Sequence, residues 1–507
     1  MTGGEHQQAE RPTSFRLYPY VIAASFPLWM WLHNAAEEPT VRDVVTVFGI
    51  TFCYALIVDV LLRRIIPHPA ARSVIHTLSI VACFAYGHVA QSLKAYGAMD
   101  RHVAPASCVL FVLLIATAFR ARQSRAVTVA AGYLRAVGVA LLVLQVFNAV
   151  GLLRANWIVH AEAASEVAEL ASDNLDVERP DIYYLILDGY AREDVLREFF
   201  EFDNSEFLAA LRRRGFYVAD DARSNYAQTR LSLSSSMNMD YLPEFTEGDR
   251  YDTHHPQLRR LRKNGAAVGR LRRLGYWYRY VGSRHYPSNN IADEQLFHGA
   301  TNGDFVLSFI ATTAFDLLRD AVRLSDLFSD DVDFHEFQFA RIPRARGDAG
   351  PSFTFAHICC PHHPYVYDRH GPLAVPVHKE VAQPRDYLEQ LRYLNRKALA
   401  MVDEIDRLSG GRAVILLQAD HGSDFLGMPE DPTPEQWKER MSIFSAYKVP
   451  PQVKEKLYPS ITPVNSFRVV LSGLFGDRLP TLEDRSYYSS YDTPFHLVEC
   501  PQAAARD

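Results

Sequence analysis

Residues 413–424 read AVILLQADHGSD, an apolar run that ends in an acid, an imidazole and a glycine. A short run of β-branched and aliphatic residues with polar residues after it predicts a buried strand. Ligands of open α/β sheets bind at the carboxyl ends of the strands. Asp420 and His421 offer an oxygen and a nitrogen there, and Gly422 permits close backbone approach, which suits a divalent metal. A strand that simply ends in a polar turn would give the same pattern.

A second strand with the same ending lies far upstream. Residues 181–187 read DIYYLIL, and Asp188 and Gly189 follow. Because the carboxyl ends of parallel strands meet at one edge of a sheet, we expect Asp188 and Asp420 to lie close together.

A third strand, at 352–358, runs into CCPHHPY at 359–365. The prolines predict a rigid loop, in which His362 or His363 could bind a substrate oxyanion or donate a proton. Either histidine taken alone is more often structural.

The segment SNYAQTRLSLSSSMN, residues 224–238, starts as a polar loop and continues as a helix that begins near Thr229. A hydroxyl at that point faces free backbone N–H groups and the positive end of the helix dipole, a setting suited to phosphate. The alternative is that Thr229 only caps the helix. Ser234, Ser235 and Ser236 fall inside the helix and are weaker candidates for a nucleophile.

Strands alternate with helices, including a long one at 385–408, over residues 180–507. This alternation predicts an α/β domain with a mostly parallel sheet that helices cover on both faces.

The long apolar runs lie before residue 155 and predict a transmembrane domain, residues 1–155. Asp59 and His88 lie inside these runs, where a residue paired with a neighbour is more common than a polar path. Five spans are expected: Leu17–Leu32, Val44–Leu62, Val74–Leu93, Pro105–Phe119 and Val127–Leu153.

Loop charges predict the orientation, since cytoplasmic loops collect Lys and Arg. Arginines cluster before the first span, between the second and third, and between the fourth and fifth. The amino terminus is therefore expected inside, and five spans place everything after Leu153 outside. We expect a multi-pass protein of a bacterial inner membrane, with a juxtamembrane linker helix at 156–179 and a catalytic domain at 180–507 on the periplasmic or extracellular side.

The formal net charge of −6 gives no basic face for nucleic acid. Six cysteines are present, but no CxxC pair occurs and Cys359 and Cys360 are adjacent, so neither a disulfide framework nor a cysteine zinc site is indicated.

Taken in order, the strand end at Asp188, the Thr229 segment, the H-x-P-Y at 362–365 (HHPY) and the D-H-G at 420–422 resemble the alkaline phosphatase and sulfatase superfamily. The layout of spans followed by an outward domain is similar to lipoteichoic acid synthases and to membrane phosphoethanolamine or phosphoglycerol transferases. The C-x-P-S-R or S-x-P-S-R motif of true sulfatases does not occur, which disfavours sulfate ester hydrolysis.

The resemblance implies one divalent metal ion, Mn²⁺, Mg²⁺ or Zn²⁺, held by Asp188, Thr229, Asp420 and His421. Thr229 would be the nucleophile and His362 would act on the substrate. Substrate contacts are expected from four residues: Asn225, Arg230, His362 and His363. A second metal ion is left open, because His357, His363 and His496 are available and Asp188-Gly189 is similar to nucleotide pyrophosphatases, which use two.

The expected reaction transfers a phosphoglycerol or phosphoethanolamine head group from a membrane phospholipid to an envelope glycan or lipid. A phosphodiesterase or phosphatase of the same fold is the alternative. A membrane scaffold without activity is disfavoured because the set of four metal ligands is intact.

Overall fold

The computed structural model describes residues 14–34, 41–95, 123–162, 178–243, 265–283, 291–298, 303–318, 331–344 and 350–501, with single positions between them. The chain divides into two units. The first comprises Met1–Asn156 with Ala300–Ser329, and the second comprises Trp157–Gly299 with Asp330–Asp507.

The first unit is helical. Its helices are α1 (Ser14–His33), α2 (Val41–Ile65), α3 (Pro69–Phe84), α4 (Tyr86–Ala95) and α5 (Arg125–Glu162). Among the described residues, two segments are long and apolar enough to cross a membrane: Val41–Ile65 and Arg125–Gly151.

The third predicted span, 74–93, needs correction. Helix α3 ends at Phe84 and α4 begins at Tyr86, so this stretch is two short helices and not one span. At 16 residues α3 is short for a bilayer, and most of its side chains are buried, including His76 and Thr77. The fourth predicted span, 105–119, falls largely outside the described residues, as does most of the predicted linker at 156–179. The count of five spans therefore stays a prediction.

Asp59 is paired, as the sequence favoured. Its Oδ2 accepts hydrogen bonds from the Tyr20 hydroxyl at 2.9 Å and from Arg63 at 2.5 Å. A buried carboxylate in an apolar helix is stabilised by such partners, so its charge is neutralised inside the unit.

A segment from the middle of the predicted catalytic domain belongs to the first unit. Helix α6 (Gly303–Ala311) and a 3₁₀ turn (Ala314–Leu318) pack in the helical core, where the rings of Phe309 and Phe84 lie 5.8 Å apart. The Gly87 N–H donates to the Thr312 carbonyl at 2.9 Å. A Cβ at Gly87 would meet the Ala311 carbonyl oxygen at 2.1 Å, so only glycine allows this approach.

The second unit contains a mixed seven-stranded sheet. Its strands are β1 (Ile182–Leu187), β2 (Tyr217–Val218), β3 (Trp277–Val281), β4 (Glu294–Leu296), β5 (Ser352–Ile358), β8 (Val414–Gln418) and β9 (Ser445–Lys448). They lie in the order β2-β9-β8-β1-β5-β3-β4. Strand β1 pairs in parallel with β5 and β8, and β3 pairs in parallel with β5 and β4, whereas β9 runs antiparallel to β8 and β2.

Two small two-stranded sheets lie outside it, one of β6 (Tyr365–Tyr367) with β7 (Pro372–Val377) and one of β10 (Tyr487–Tyr488) with β11 (Val498–Glu499). The helices of this unit are α7 (Glu193–Phe200), α8 (Ser205–Arg213), α9 (Thr229–Asn238), α10 (Ala266–Arg273), α11 (Asp331–Arg341), α12 (Pro384–Ser409), α13 (Pro434–Met441), α14 (Pro451–Lys454) and α15 (Pro463–Phe475).

Strands β1, β5 and β8 are buried along their whole length. Because successive side chains of a strand point to opposite faces, both faces of the sheet centre are covered. This explains why these strands are continuous apolar runs in the sequence. The long helix predicted at 385–408 is α12, which starts with a capping box of Gln383 and Asp386 and ends at Gly410 in the left-handed conformation (φ 61°).

Candidate metal centre

The sheet brings the two predicted acidic strand ends together. Strand β1 lies between β5 and β8, and the pair Ile186 and Gln418 shows that β1 and β8 end at nearly the same level. Asp188 and Asp420 follow these strands at the same edge, and with His421 they are at most 2% exposed.

Three side chains converge around one nitrogen, Nε2 of His421. Thr229 Oγ1 lies 3.0 Å from it, and Asp188 Oδ1 and Asp420 Oδ2 each lie 3.4 Å from it. The other ring nitrogen, Nδ1, is 2.9 Å from the Gly422 carbonyl, which can only accept a hydrogen bond. A proton on Nδ1 leaves the Nε2 lone pair directed at the three oxygens.

The two carboxylates each have one oxygen that accepts no hydrogen bond from the described residues: Asp188 Oδ1 and Asp420 Oδ2. A buried carboxylate oxygen without a partner is costly, and buried charges in native proteins are paired or coordinate metals. Both oxygens face His421 Nε2, so the residues present fit a divalent cation. Asp188, Thr229, Asp420 and His421 would hold it, and three oxygens with one imidazole suit Mn²⁺, Mg²⁺ or Zn²⁺.

The remaining carboxylate oxygens are held in place by other groups. Asp188 Oδ2 lies 2.9 Å from His357 Nε2, and the other ring nitrogen of His357 lies 3.0 Å from the Ser283 hydroxyl. The Gly189 N–H donates to Asp420 Oδ1 at 3.3 Å. Such supporting hydrogen bonds fix the orientation of metal ligands. His357 thus contacts a candidate metal ligand, a supporting role that sequence reasoning did not assign to it.

A second group of residues is also close enough to share a cation: Asp188, His357 and Cys359. His363 and His496 belong to neither of the two metal-compatible groups among the described residues.

Electrostatics favours the protonation states that a metal requires. Burial would raise the pKa of Asp188, but the imidazoles of His362, His357 and His421 outweigh it and hold the pKa well below its usual range. Burial and then the charge of Arg440 lower the pKa of His421. At neutral pH the carboxylate is therefore charged and the imidazole neutral.

Only glycine fits at position 422, because neighbouring backbone lies too close for a side chain. A Cβ at this position would lie 2.1 Å from the Glu439 carbonyl oxygen and 3.0 Å from that of Ser442. The Gly422 N–H donates to the Arg440 carbonyl at 2.7 Å. The glycine of the D-H-G motif thus lets the turn lie against the chain around α13.

Thr229 is the first residue of α9, and the capping position is Gln228. Its hydroxyl contacts His421 instead of the helix N–H groups, so the alternative of Thr229 as a plain cap is not what this geometry supports. The neighbouring serines are turned to carbonyls of the backbone. Their partners are Arg230 and Leu258 for Ser234, Asp240 for Ser235 and Leu233 for Ser236.

The two histidines of the H-H-P-Y segment lie beside this centre. The His362 N–H donates to the Asp188 carbonyl at 3.0 Å, and the ring centroids of His362 and His421 are 6.0 Å apart. His362 Nδ1 is held by the His363 carbonyl at 2.7 Å. Burial, followed by the neighbouring His362, lowers the pKa of His363 to about 3, so this imidazole is neutral.

Asn225 was expected to contact the substrate, and this expectation needs correction. The side chain is fully buried, donates to the Arg485 carbonyl at 2.8 Å and accepts from the Val464 N–H at 2.8 Å. Its amide therefore joins loops of the fold. Arg230 lies half-buried in the first turn of α9, next to Thr229.

Sequence reasoning missed Arg440, whose side chain is 2% exposed. Its guanidinium donates to the Ala227 carbonyl at 2.7 Å and to the Gly422 carbonyl at 3.2 Å. It therefore joins the loop before Thr229 to the turn that carries His421. No motif signals this residue, since an arginine in a charged helix ordinarily lies in solvent.

No protein-family model matches this sequence, and no curated protein matches it. Solved structures do match. The C-terminal periplasmic domain of EptC from Escherichia coli is 13% identical with a TM-score of 0.42, over 65% of this chain and 95% of that chain. The solved structures that match this chain include phosphoethanolamine transferases and sulfatases.

The membrane protein EptA, lipooligosaccharide phosphoethanolamine transferase A of Neisseria meningitidis, is 13% identical with a TM-score of 0.36, over 91% of this chain and 95% of that chain. A sulfatase of Bacteroides thetaiotaomicron is 14% identical with a TM-score of 0.34, over 60% of this chain and 74% of that chain. Sequence identities this low do not assign an activity to this chain. Its function must be inferred from the residues of the site.

Proposed function

We propose that this protein is a metal-dependent phosphotransferase of the sulfatase-like type, with Thr229 as its nucleophile. It moves a phosphoryl-linked head group, phosphoethanolamine or phosphoglycerol, from a membrane phospholipid to an envelope glycan or lipid. The observation that carries this proposal is the convergence on His421 Nε2 of Thr229 Oγ1 and two carboxylate oxygens that accept no hydrogen bond from the described residues.

A threonine hydroxyl is a weak nucleophile at neutral pH and needs activation. A divalent ion bound by these ligands would favour the alkoxide of Thr229 and neutralise charge on the phosphoryl group. The position of Thr229 at the start of α9 adds free N–H groups and the positive end of the helix dipole, which favour a phosphate there.

In the first step Thr229 Oγ1 attacks phosphorus, the bond to the glycerolipid oxygen breaks, and a phospho-threonine ester forms. His362, protonated at the start, gives its proton to the departing lipid alkoxide. In the second step the neutral His362 takes the proton of the acceptor hydroxyl as that oxygen attacks phosphorus, and Thr229 leaves as the alkoxide with which the cycle began. His362 suits this exchange because its backbone N–H is fixed on the Asp188 carbonyl beside the centre.

The apolar helices α2 and α5 would hold the enzyme in the membrane next to its lipid donor. The arginine distribution supports an orientation with the catalytic half outside, and we place the protein in a bacterial inner membrane. Nucleoside triphosphates are absent there, which favours a phospholipid as donor.

The proposal is tested by substitutions at Thr229 assayed at equal amounts of folded protein. Thr229→Ala should retain less than a few per cent of wild-type head-group transfer, and Thr229→Ser should retain part of it, because only the hydroxyl reacts. Ser236→Ala is the matched control. It removes a buried hydroxyl of the same helix that donates to the Leu233 carbonyl and also contacts Tyr184 of the core, and it should keep near-normal transfer. Near-normal transfer by Thr229→Ala would refute the nucleophile assignment.

A further inference from the structure

The ammonium group of Lys379 occupies a small site built from Asp424 and Tyr491. It contacts Asp424 Oδ2 and lies 5.1 Å from the centre of the Tyr491 ring. The Tyr491 hydroxyl donates to the same carboxylate oxygen at 3.1 Å. A carboxylate together with an aromatic face is the combination by which proteins bind ammonium ions.

This site is joined to the metal centre by Arg440. One terminal nitrogen of its guanidinium lies 3.4 Å from the Tyr491 hydroxyl and the other donates to the Gly422 carbonyl at 3.2 Å. Asp424 itself follows His421 by three residues. The carboxylate therefore lies on the turn that carries the metal-ligating histidine.

The carboxylate of Asp424 is mostly buried, whereas the side chain of Lys379 is partly exposed to solvent. The Asp424 side chain is 11% exposed and the Lys379 side chain 43% exposed. Burial would raise the pKa of Asp424, but Arg440 and Lys379 outweigh it and keep the pKa below its ordinary value, so the acid remains charged.

Lys379 starts a 3₁₀ turn, Lys379–Val381, that follows β7. Its ammonium ends a flexible four-carbon stem and is well hydrated in water, so it can leave without moving the backbone. Only the lysine end of this ion pair is open to solvent, so water can hydrate the released ammonium while the arriving cation keeps the Asp424 carboxylate paired.

We propose that Asp424 and Tyr491 form a subsite for the primary ammonium of the transferred head group, and that Lys379 occupies this subsite until substrate displaces it. The inference rests on the proposed function and deepens it. It assigns an aminoalkyl phosphate such as phosphoethanolamine as the transferred group, in preference to phosphoglycerol.

Binding calorimetry on the full-length, metal-loaded protein tests the subsite without turnover. The probes are O-phosphoethanolamine and glycerol 3-phosphate, which share the phosphate and differ in the ammonium. Lys379→Ala should tighten phosphoethanolamine binding by about tenfold and should not tighten glycerol phosphate binding, because only the first ligand uses the vacated carboxylate. Weaker binding of both ligands would make Lys379 a phosphate contact and overturn the subsite.

Asp424→Asn should remove the preference for phosphoethanolamine while glycerol phosphate binds as before. Tyr491→Leu, which removes the ring, should reduce the same preference and serves as a second variant if Asp424→Asn misfolds. Persistence of the preference in both variants contradicts the subsite. If Thr229→Ala loses transfer but the wild type shows no preference for phosphoethanolamine, the proposed function is upheld and the subsite is rejected. If the wild type binds neither ligand, the proposed function and the subsite are both contradicted.

Discussion

The convergence of Asp188, Thr229, Asp420 and His421 could be predicted from the sequence because each lies within three residues of a strand end or begins a helix. A side chain at the end of a strand or the start of a helix has a position that the fold itself determines. Arg440, Lys379 and Tyr491 could not be predicted, since they come from a helix, a short turn and a loop that no local pattern brings together. Asn225 was misjudged for the same reason: its neighbours Arg485 and Val464 are far along the chain.

Asp420 Oδ2 faces the proposed metal position, so its replacement tests the set of ligands. Asp420→Asn should abolish bound metal while the domain stays folded, because Oδ2 lies just beyond a strand end and accepts no hydrogen bond from the described residues. His357→Ala removes only a supporting contact and should weaken metal affinity by about 10- to 100-fold.

Metal content after dialysis and a titration of the dialysed protein provide the measurement. The matched control is Asp403→Asn, which removes a carboxylate charge paired with Arg214 at the surface and should leave metal binding unchanged. Full occupancy in Asp420→Asn would exclude this residue as a ligand.

At the scale of elements, continuous apolar runs predicted β1, β5 and β8 and the helix α12, because each is buried or amphipathic along its length. The break of the third predicted span at Ala85 and the return of α6 to the helical unit could not be predicted. Hydropathy measures apolarity and does not distinguish lipid contact from burial against other helices. Gly87, which the packing of 311–312 requires, has no signature of its own in the sequence.

A buried ion pair joins α10 to the loop after α15. Arg270 donates to both oxygens of Asp477, at 2.9 and 2.7 Å, and both side chains are at most 6% exposed. Asp477→Leu should reduce the free energy of unfolding by about 3–5 kcal/mol, because it leaves a buried charge without its carboxylate.

The double variant Arg270→Met with Asp477→Leu removes both charges and should recover most of that loss. Thermal unfolding of the three proteins is the measurement. Equal melting temperatures for the single and double variants would show that the ion pair is not what stabilises this contact.

For the whole molecule, the division into a helical unit and a sheet-containing unit follows from where apolar residues are concentrated. The arginine-rich loops predict that the sheet-containing unit lies outside the cytoplasm. Asp431 is exposed in that unit, and Gln123 is exposed at a loop that should lie inside.

Cysteine labelling in intact cells tests this orientation. A maleimide that does not cross the inner membrane should label Asp431→Cys and leave Gln123→Cys unlabelled until the cells are lysed. The wild type, with its native cysteines, is treated in parallel as the background. The reverse pattern would invert the topology and would remove the argument for a phospholipid donor.

During turnover Thr229 should carry the transferred group, which mass spectrometry of the purified, metal-loaded protein can detect. The protein is mixed with phosphatidylethanolamine, quenched in acid during turnover and digested. We expect a phosphoethanolamine adduct on Thr229 that is absent from Thr229→Ala. Steady head-group transfer with Thr229 unmodified, or an adduct on Ser234, Ser235 or Ser236 instead, would rule out Thr229 as the nucleophile.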